Sequence, residues 1–195
     1  MGKIGIMGGT FDPIHIGHLI AAECAREQCG LDEVWFIPTF RPPLKDHEPG
    51  ASSEQRMEMV QLAVADNPAF DVKDIELKRG GVSYSIETVE QLMQRHPQHS
   101  FSYIIGSDRI NDLPMWHRIE QLAEWISFIG LERPSEPIRL EQLPAHLQKR
   151  IQICNMPAIG ISSTAVRNSR KKRNSVRYVV PEPVYEYIRR HALYE

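Results

Sequence analysis

The chain has 195 residues, 42% hydrophobic and 25% charged, a composition that fits one compact domain over 1–195 and excludes an integral membrane protein or a largely disordered one. Lys and Arg total 23 against 25 Asp and Glu, a formal charge of −2, so no global basic field recruits nucleic acid or an anionic membrane surface. The three cysteines, Cys24, Cys29 and Cys154, include no Cys-x-x-Cys pair, which suits buried thiols in a reducing cytoplasm better than a disulfide framework or a thiolate zinc site.

The N-terminal stretch lacks a signal peptide's long apolar region, so a cytoplasmic location is expected. Residues 3–7 form a short apolar strand stopped by Gly8-Gly9, and residues 16–29 carry helix formers up to Gly30, a natural helix terminator. Val34 to Ile37 is a second strand closed by Pro38, and a proline-rich loop with Pro42, Pro43 and Pro49 follows. Ser52 with Gln55 forms a capping box for a helix through Met57, Val60, Leu62 and Val64, ending at Asn67-Pro68. A third strand is expected over 70–77, although its alternation slips at Asp74. After Gly80-Gly81 a helix carries Ile86, Val89, Leu92 and Met93 to His96-Pro97, and Phe101 to Ile105 is a fourth strand. Trp125 to Leu131 and residues 151–154 supply two more strands, and a last helix stands behind Pro181 and Pro183. Strands that alternate with helices predict an α/β fold: a doubly wound, mostly parallel sheet with helices on both faces and ligands beyond the carboxyl ends of its strands.

The run Gly8-Gly9-Thr10-Phe11-Asp12-Pro13-Ile14-His15-Ile16-Gly17-His18 follows the first strand directly, where such a fold places a phosphate site. Paired glycines admit close backbone approach, and the next helix offers unpaired N–H donors at its positive end. His15 and His18 are three apart and share a face, with Gly17 removing bulk beside it. A plain turn or a metal-chelating His pair are the alternatives. The metal alternative is the weaker, because no further His or Cys cluster completes a tetrahedral site. The run is neither a G-x-G-x-x-G fingerprint nor a P-loop. Asp108, after the fourth strand, can accept from a ribose hydroxyl or cap residues 109–113. Ser162, Ser163 and Thr164 offer cap hydroxyls, and Arg167 can turn toward the same anion. The alternative is an N-cap before a solvated basic helix, since Arg170, Lys171, Lys172, Arg173 and Arg177 continue the charge run.

The eleven-residue run resembles the signature of the His-x-Gly-His nucleotidyltransferase superfamily, and more closely that of bacterial nicotinate-nucleotide adenylyltransferases. Further matches come in the family's order: Trp35 to Pro38, Pro42-Pro43-Leu44-Lys45, Ser83-Tyr84-Ser85, Ile105 to Asp108, Leu113 to Trp116 and Ile161 to Arg167. Leu44 stands where the family usually has His, and Ser85 where it usually has Thr. The resemblance implies a Rossmann-like nucleotidyltransferase that moves the adenylyl group of ATP to nicotinate mononucleotide, releasing pyrophosphate, in NAD biosynthesis. Mg²⁺ would accompany ATP, with no metal held by protein ligands. Catalysis would fall to His15, His18 and Arg167. ATP would be bound by Gly8, Gly9, Thr10, Phe11, Ile105, Gly106, Asp108, Arg133, Ser162, Ser163 and Thr164. Lys45, Tyr84, Ser85 and Trp116 would hold the acceptor, Trp116 by stacking on the pyridine ring and the helix opening at Tyr84-Ser85-Ile86 by offering N–H groups to the carboxylate. ATP and the mononucleotide are the expected partners, without nucleic acid or membrane, and a homo-oligomer is allowed. The competing readings are transfer to another phosphorylated acceptor such as phosphopantetheine, cytidylyl transfer, or a non-catalytic nucleotide-binding regulator. Trp116 and Ser83-Tyr84-Ser85 argue against the first two, and the retained histidines and Arg167 against the last.

Overall fold

The computed structural model describes residues 1–43, 48–132 and 137–195. Among them, strands β1 (Lys3–Gly9), β2 (Glu33–Pro38), β3 (Phe70–Val72), β4 (Ser100–Gly106), β5 (Ser127–Glu132) and β6 (Ile151–Asn155) form one sheet in the order β3-β2-β1-β4-β5-β6. Every neighbouring pair is parallel. The chain works outward from β1 to β3, returns to the far side of β1 and works outward again to β6. This reversal opens a crevice above the carboxyl ends of β1 and β4.

The crossovers carry α1 (Ile16–Cys29), α2 (Ser53–Val64), α3 (Ile75–Arg79), α4 (Ser85–Arg95), α5 (Ser107–Asn111), α6 (Ile119–Trp125) and α7 (Ala145–Gln148), and α8 (Ser163–Lys171) and α9 (Glu182–Arg190) follow β6. Two buried clusters separate on the two faces of the sheet. Val34 and Phe36 belong to one, with Met59, Val60, Val184 and Ile188 from α2 and α9. Trp35 and Ile37 belong to the other, with Ile86, Val89 and Leu92 from α4 and Leu122 from α6. The two-residue alternation of β2 thus feeds both cores, as in a sheet covered on both sides. No helix among the described residues is long and apolar enough to cross a membrane.

Several expected boundaries shift. Gly8 and Gly9 are strand rather than loop, paired in register with Ile37 and Pro38. The segment 70–77 splits, because the pairing of β3 with β2 runs from Phe70↔Val34 to Val72↔Phe36 and stops there, and the chain turns at Asp74 to bury Ile75 and Glu76 in α3. Trp125 closes α6 instead of opening β5. The capping box of α2 forms as expected: Ser52 Oγ accepts from the Gln55 N–H at 3.2 Å and Gln55 Oε1 from the Ser52 N–H at 2.9 Å. Its buried face, however, is Arg56, Met59, Val60, Ala63 and Val64, a helical i, i+3, i+4 pattern that leaves Leu62 exposed. Arg170 is buried and paired with Glu195, so the basic run that closes α8 is only partly a solvated face, and beyond the helix the exposed Arg177 bonds Glu182 at 2.7 Å. At the β6 edge the Met156 N–H bonds the Glu132 carbonyl, which turns the amide of Asn155 away from β5. The side chain of Gln28 meets it, Nε2 donating to the Asn155 carbonyl at 2.7 Å and Oε1 accepting from its N–H at 3.2 Å.

Candidate active site

A cleft of about 940 Å³ occupies the crevice between β1 and β4. On its floor a Cβ at Gly8 would collide with the Tyr103 hydroxyl, so glycine there lets β1 pass beside the tyrosine of β4. Burial pushes the Tyr103 phenol upward, and it remains a neutral hydrogen-bonding group.

β1 delivers the chain to α1 through residues 10–15. His15 is the extended N-cap residue of α1, one position before the helix proper. Its ring still stacks on that of His18, centroids 3.7 Å apart and planes 20° apart, as their spacing predicts. The His15 N–H donates to His18 Nδ1 at 3.2 Å. An accepting Nδ1 assigns the neutral ring's proton to Nε2, so His18 presents a donor at its far end. Gly17 gives the pair room, because a Cβ there would stand 3.0 Å from His15 Nδ1. The Phe11 ring meets the His18 ring at 5.1 Å in a T-shaped contact.

The opposite wall is the start of α8. Ser162 Oγ accepts from the Ala165 N–H at 3.2 Å, the expected N-cap. Ser163 Oγ donates to the Pro13 carbonyl at 2.8 Å, tying α8 to the loop before α1. Arg167 donates through Nη1 to the Asp12 carbonyl at 2.8 Å and through Nη2 to Thr164 Oγ1 at 3.2 Å. Its guanidinium and the two imidazoles therefore border one cleft, with Ser162, Ser163 and Thr164 beside them.

At the other end α4 opens with Tyr84 as its cap residue and Ser85 as its first residue. The N–H groups of Glu87 and Thr88 both bond the Tyr84 carbonyl, at 3.2 and 3.3 Å, so the end donors of the helix are those of Ser85 and Ile86. Trp116 follows a 3-10 turn, Leu113–Met115, and packs T-shaped on Tyr103 and Phe128, at 5.7 and 6.4 Å, while lining the cleft. It is both a core residue and a wall. Behind α4, Thr88 Oγ1 donates to the buried Glu76 Oε1 at 2.7 Å and receives Arg79 Nη1 and Nη2 at 3.2 and 3.1 Å. Burial pushes the Glu76 carboxyl up, against hydrogen bonds from Thr88 and Ser83.

Ile105 and Gly106 line the cleft at the end of β4. Gly106, not Asp108, is the N-cap residue of α5, which overturns the capping alternative for Asp108. The Asp108 carboxylate stands in the first turn, half exposed at the cleft and 3.9 Å from Arg109 Nε. Lys45 and Arg133, with Leu44, lie outside the described residues. Arg56 escaped the sequence reading: it is 1% exposed and its Nη1 donates to the carbonyls of Thr10 and Thr39 at 2.7 and 2.9 Å. Its place on the i, i+3, i+4 face with Met59 and Val60 was the available signal.

Residues 6–169 match the family model described as cytidylyltransferase-like. A protein of Oceanobacillus iheyensis named "Probable nicotinate-nucleotide adenylyltransferase" is 43% identical over 194 residues, covering 100% of this chain and 97% of its own. A Bacillus pumilus protein of the same name is 43% identical over 195 residues, covering all of both chains at 100%. Among solved structures, the Plasmodium falciparum nicotinic acid mononucleotide adenylyltransferase complexed with NaAD superimposes with a TM-score of 0.79 over 100% of this chain and 98% of that one. At 22% identity it carries the fold alone.

Proposed function

The chain belongs to the cytidylyltransferase-like family and, within it, to the nicotinate-nucleotide adenylyltransferases, and from that premise we infer that its cleft transfers the adenylyl group of ATP to nicotinate mononucleotide in NAD biosynthesis. The observation that carries the reading is the stacked His15–His18 pair, which lines the same cleft as Arg167 at the switch point of the sheet.

An oxygen of the mononucleotide phosphate attacks the α-phosphorus of ATP. The new P–O bond forms as the bond from the α-phosphorus to the bridging oxygen of pyrophosphate breaks, and pyrophosphate leaves with that electron pair. No protein nucleophile is needed, so the residues work by placing the reactants and by meeting charge that grows on phosphate oxygens. We assign His18 Nε2–H and the Arg167 guanidinium to that charge, with His15 as the stacked neighbour that holds His18. Gly8, Gly9, Thr10 and Phe11 would carry ATP on the β1 side, and Ser162, Ser163 and Thr164 on the α8 side. Ile105, Gly106 and Asp108 would hold its nucleoside, Asp108 accepting from a ribose hydroxyl; Arg133 completes the proposed ATP set.

At the far end, the Ser85 and Ile86 N–H groups suit an anionic carboxylate and Trp116 a flat pyridine ring; Tyr84 and Lys45 complete the proposed acceptor set. Adenylyl transfer from ATP is consistent with a divalent metal, which we propose to be Mg²⁺ shielding the triphosphate charge. The Asp12 carboxylate is already occupied by Gly50, Ala51 and Tyr194, so the donor set fits a cation carried by the nucleotide's own oxygens. A cytoplasmic location follows from the same reading.

Pyrophosphate release, measured with ATP and each of nicotinate mononucleotide, nicotinamide mononucleotide and phosphopantetheine, tests it. The nicotinate compound should give the highest kcat/KM. A higher value with either other acceptor overturns the assignment, and no release with any of them overturns catalysis.

A further inference from the structure

The motif around His15 contains one more group that the mechanism leaves without a task. The Asp12 carboxylate is 5% exposed, and protein groups take up its oxygens. Oδ2 accepts from the Gly50 N–H at 2.8 Å, and Oδ1 accepts from the Ala51 N–H at 3.0 Å and from the Tyr194 hydroxyl at 2.8 Å. Arg167 closes the same knot, bonding the Asp12 carbonyl at 2.8 Å and standing 3.7 Å from Oδ2. The Tyr194 ring is packed against Gly50, where a Cβ would stand 3.1 Å from the ring and 3.6 Å from Arg167 Cδ. Residues beyond α9 take unfavourable backbone to bring it there: Ala192 and Tyr194 have φ of 48° and 65°, the left-handed region that L side chains avoid. Glu195 is anchored in turn by Arg170.

We propose that Tyr194 is a positioning residue for the transfer: its hydroxyl, through the Asp12 carboxylate, keeps Arg167 turned to the cleft and the Gly50–Ala51 backbone in place. The physical reason is competition. Asp12 is a buried anion beside the cation that the reaction needs. Three N–H or O–H donors already serve it, so Arg167 gives its short bond of 2.8 Å to the neutral Asp12 carbonyl and stands off from the carboxylate at 3.7 Å, with its remaining N–H groups turned to phosphate. Without the hydroxyl, Oδ1 loses a donor in a buried place, and Arg167, already 3.7 Å from the other oxygen of the same carboxylate, is a cation within reach of it. Burial and the neighbouring carboxylate push the Tyr194 phenol upward, which keeps it the donor in this pair.

The inference rests on Arg167 being a phosphate ligand, and a double-mutant cycle separates the two ideas. Tyr194→Phe, Arg167→Ala and the double variant are compared with wild type in kcat, both KM values and ATP affinity by calorimetry, each with a melting curve. Tyr194→Phe should lower kcat about tenfold, the scale of one hydrogen bond to a charged group, while the KM for the acceptor stays within about twofold. In the Arg167→Ala background the same change should cost nothing further. Equal losses in both backgrounds, or a wild-type rate for folded Tyr194→Phe, overturn the positioning role. If Tyr194→Phe does not fold, Gly50→Ala, which presses on the same ring, must show the same Arg167-dependent loss or the proposal fails. Unchanged ATP affinity and rate in Arg167→Ala alone would instead remove Arg167 from the phosphate site, and the proposal with it. Should nicotinate mononucleotide prove not to be the acceptor, ATP affinity across the four proteins still reads the coupling.

Discussion

His18 shows how a single backbone bond selects a chemical role. Because its Nδ1 accepts from the His15 N–H, the ring donates at Nε2, and His18→Ala should lower kcat by about 10² or more, the scale of losing one preorganised donor. The melting temperature should hardly move, and near-normal turnover in the folded variant would take His18 out of the reaction. Arg167→Lys should stay impaired, since an ammonium cannot span both the Asp12 carbonyl and a phosphate with one planar fork. Full rescue by Lys would reduce Arg167 to a general charge. Under the proposed function, acid-over-amide choice is expected to rest on the backbone of Ser85. Tyr84, with φ −78° and ψ 127°, already has the extended conformation a following proline requires. Ser85→Pro therefore deletes one end donor with little strain and should erode the kcat/KM ratio of nicotinate to nicotinamide mononucleotide, whereas Ser85→Ala should keep most of it. The reverse order would return selectivity to the hydroxyl. At this scale the His pair was legible because a spacing of three fixes a shared face. The tasks of Asp12 and Arg56 were not, because each is defined by partners from distant segments.

Elements were legible where one period ran unbroken. β4 and the capped start of α2 followed their patterns. The segment after β3 did not, because its apolar residues serve a three-residue edge strand and then a short helix, and neither period repeats before the chain turns. Gly8-Gly9 looked like a loop because glycine is a poor strand former, yet sheet pairing with β2 and the approach of Tyr103 determine its state. Two predictions live here. Ser52→Ala should cost about 1 kcal/mol by removing the cap of α2, a loss of roughly 2–4 °C in Tm for a chain of this size; no change would make the box ornamental. In α3, burial raises the pKa of the Glu76 carboxyl above the ordinary carboxylate value of about 4.5. Its protonated form therefore favours the fold below that value, and this contribution disappears as pH rises through the folded-state pKa. Glu76→Gln has no such loss, so the stability of the variant relative to wild type should grow as pH rises from below 4.5 and then level off. A difference that is flat with pH would mean Glu76 titrates alike folded and unfolded.

The architecture as a whole was readable because alternating strands and helices leave few topologies open. The contact of Tyr194 with the first loop was not. Tyr194 meets Asp12 across 182 positions, and no local pattern encodes a contact of that span. The sheet order also leaves two strands with one open side each. β3 is protected by its shortness, at three residues, while β6 has five and exposes Ile153. The Gln28 carboxamide offers Asn155 the donor and acceptor that a seventh strand would have supplied. It thereby caps one amide of an edge whose unpaired row would invite a strand from another molecule. Gln28→Ala should leave turnover untouched yet increase light scattering with concentration and time in warm solutions, and Gln28→Lys, which introduces a charge at the edge, should keep that scattering low.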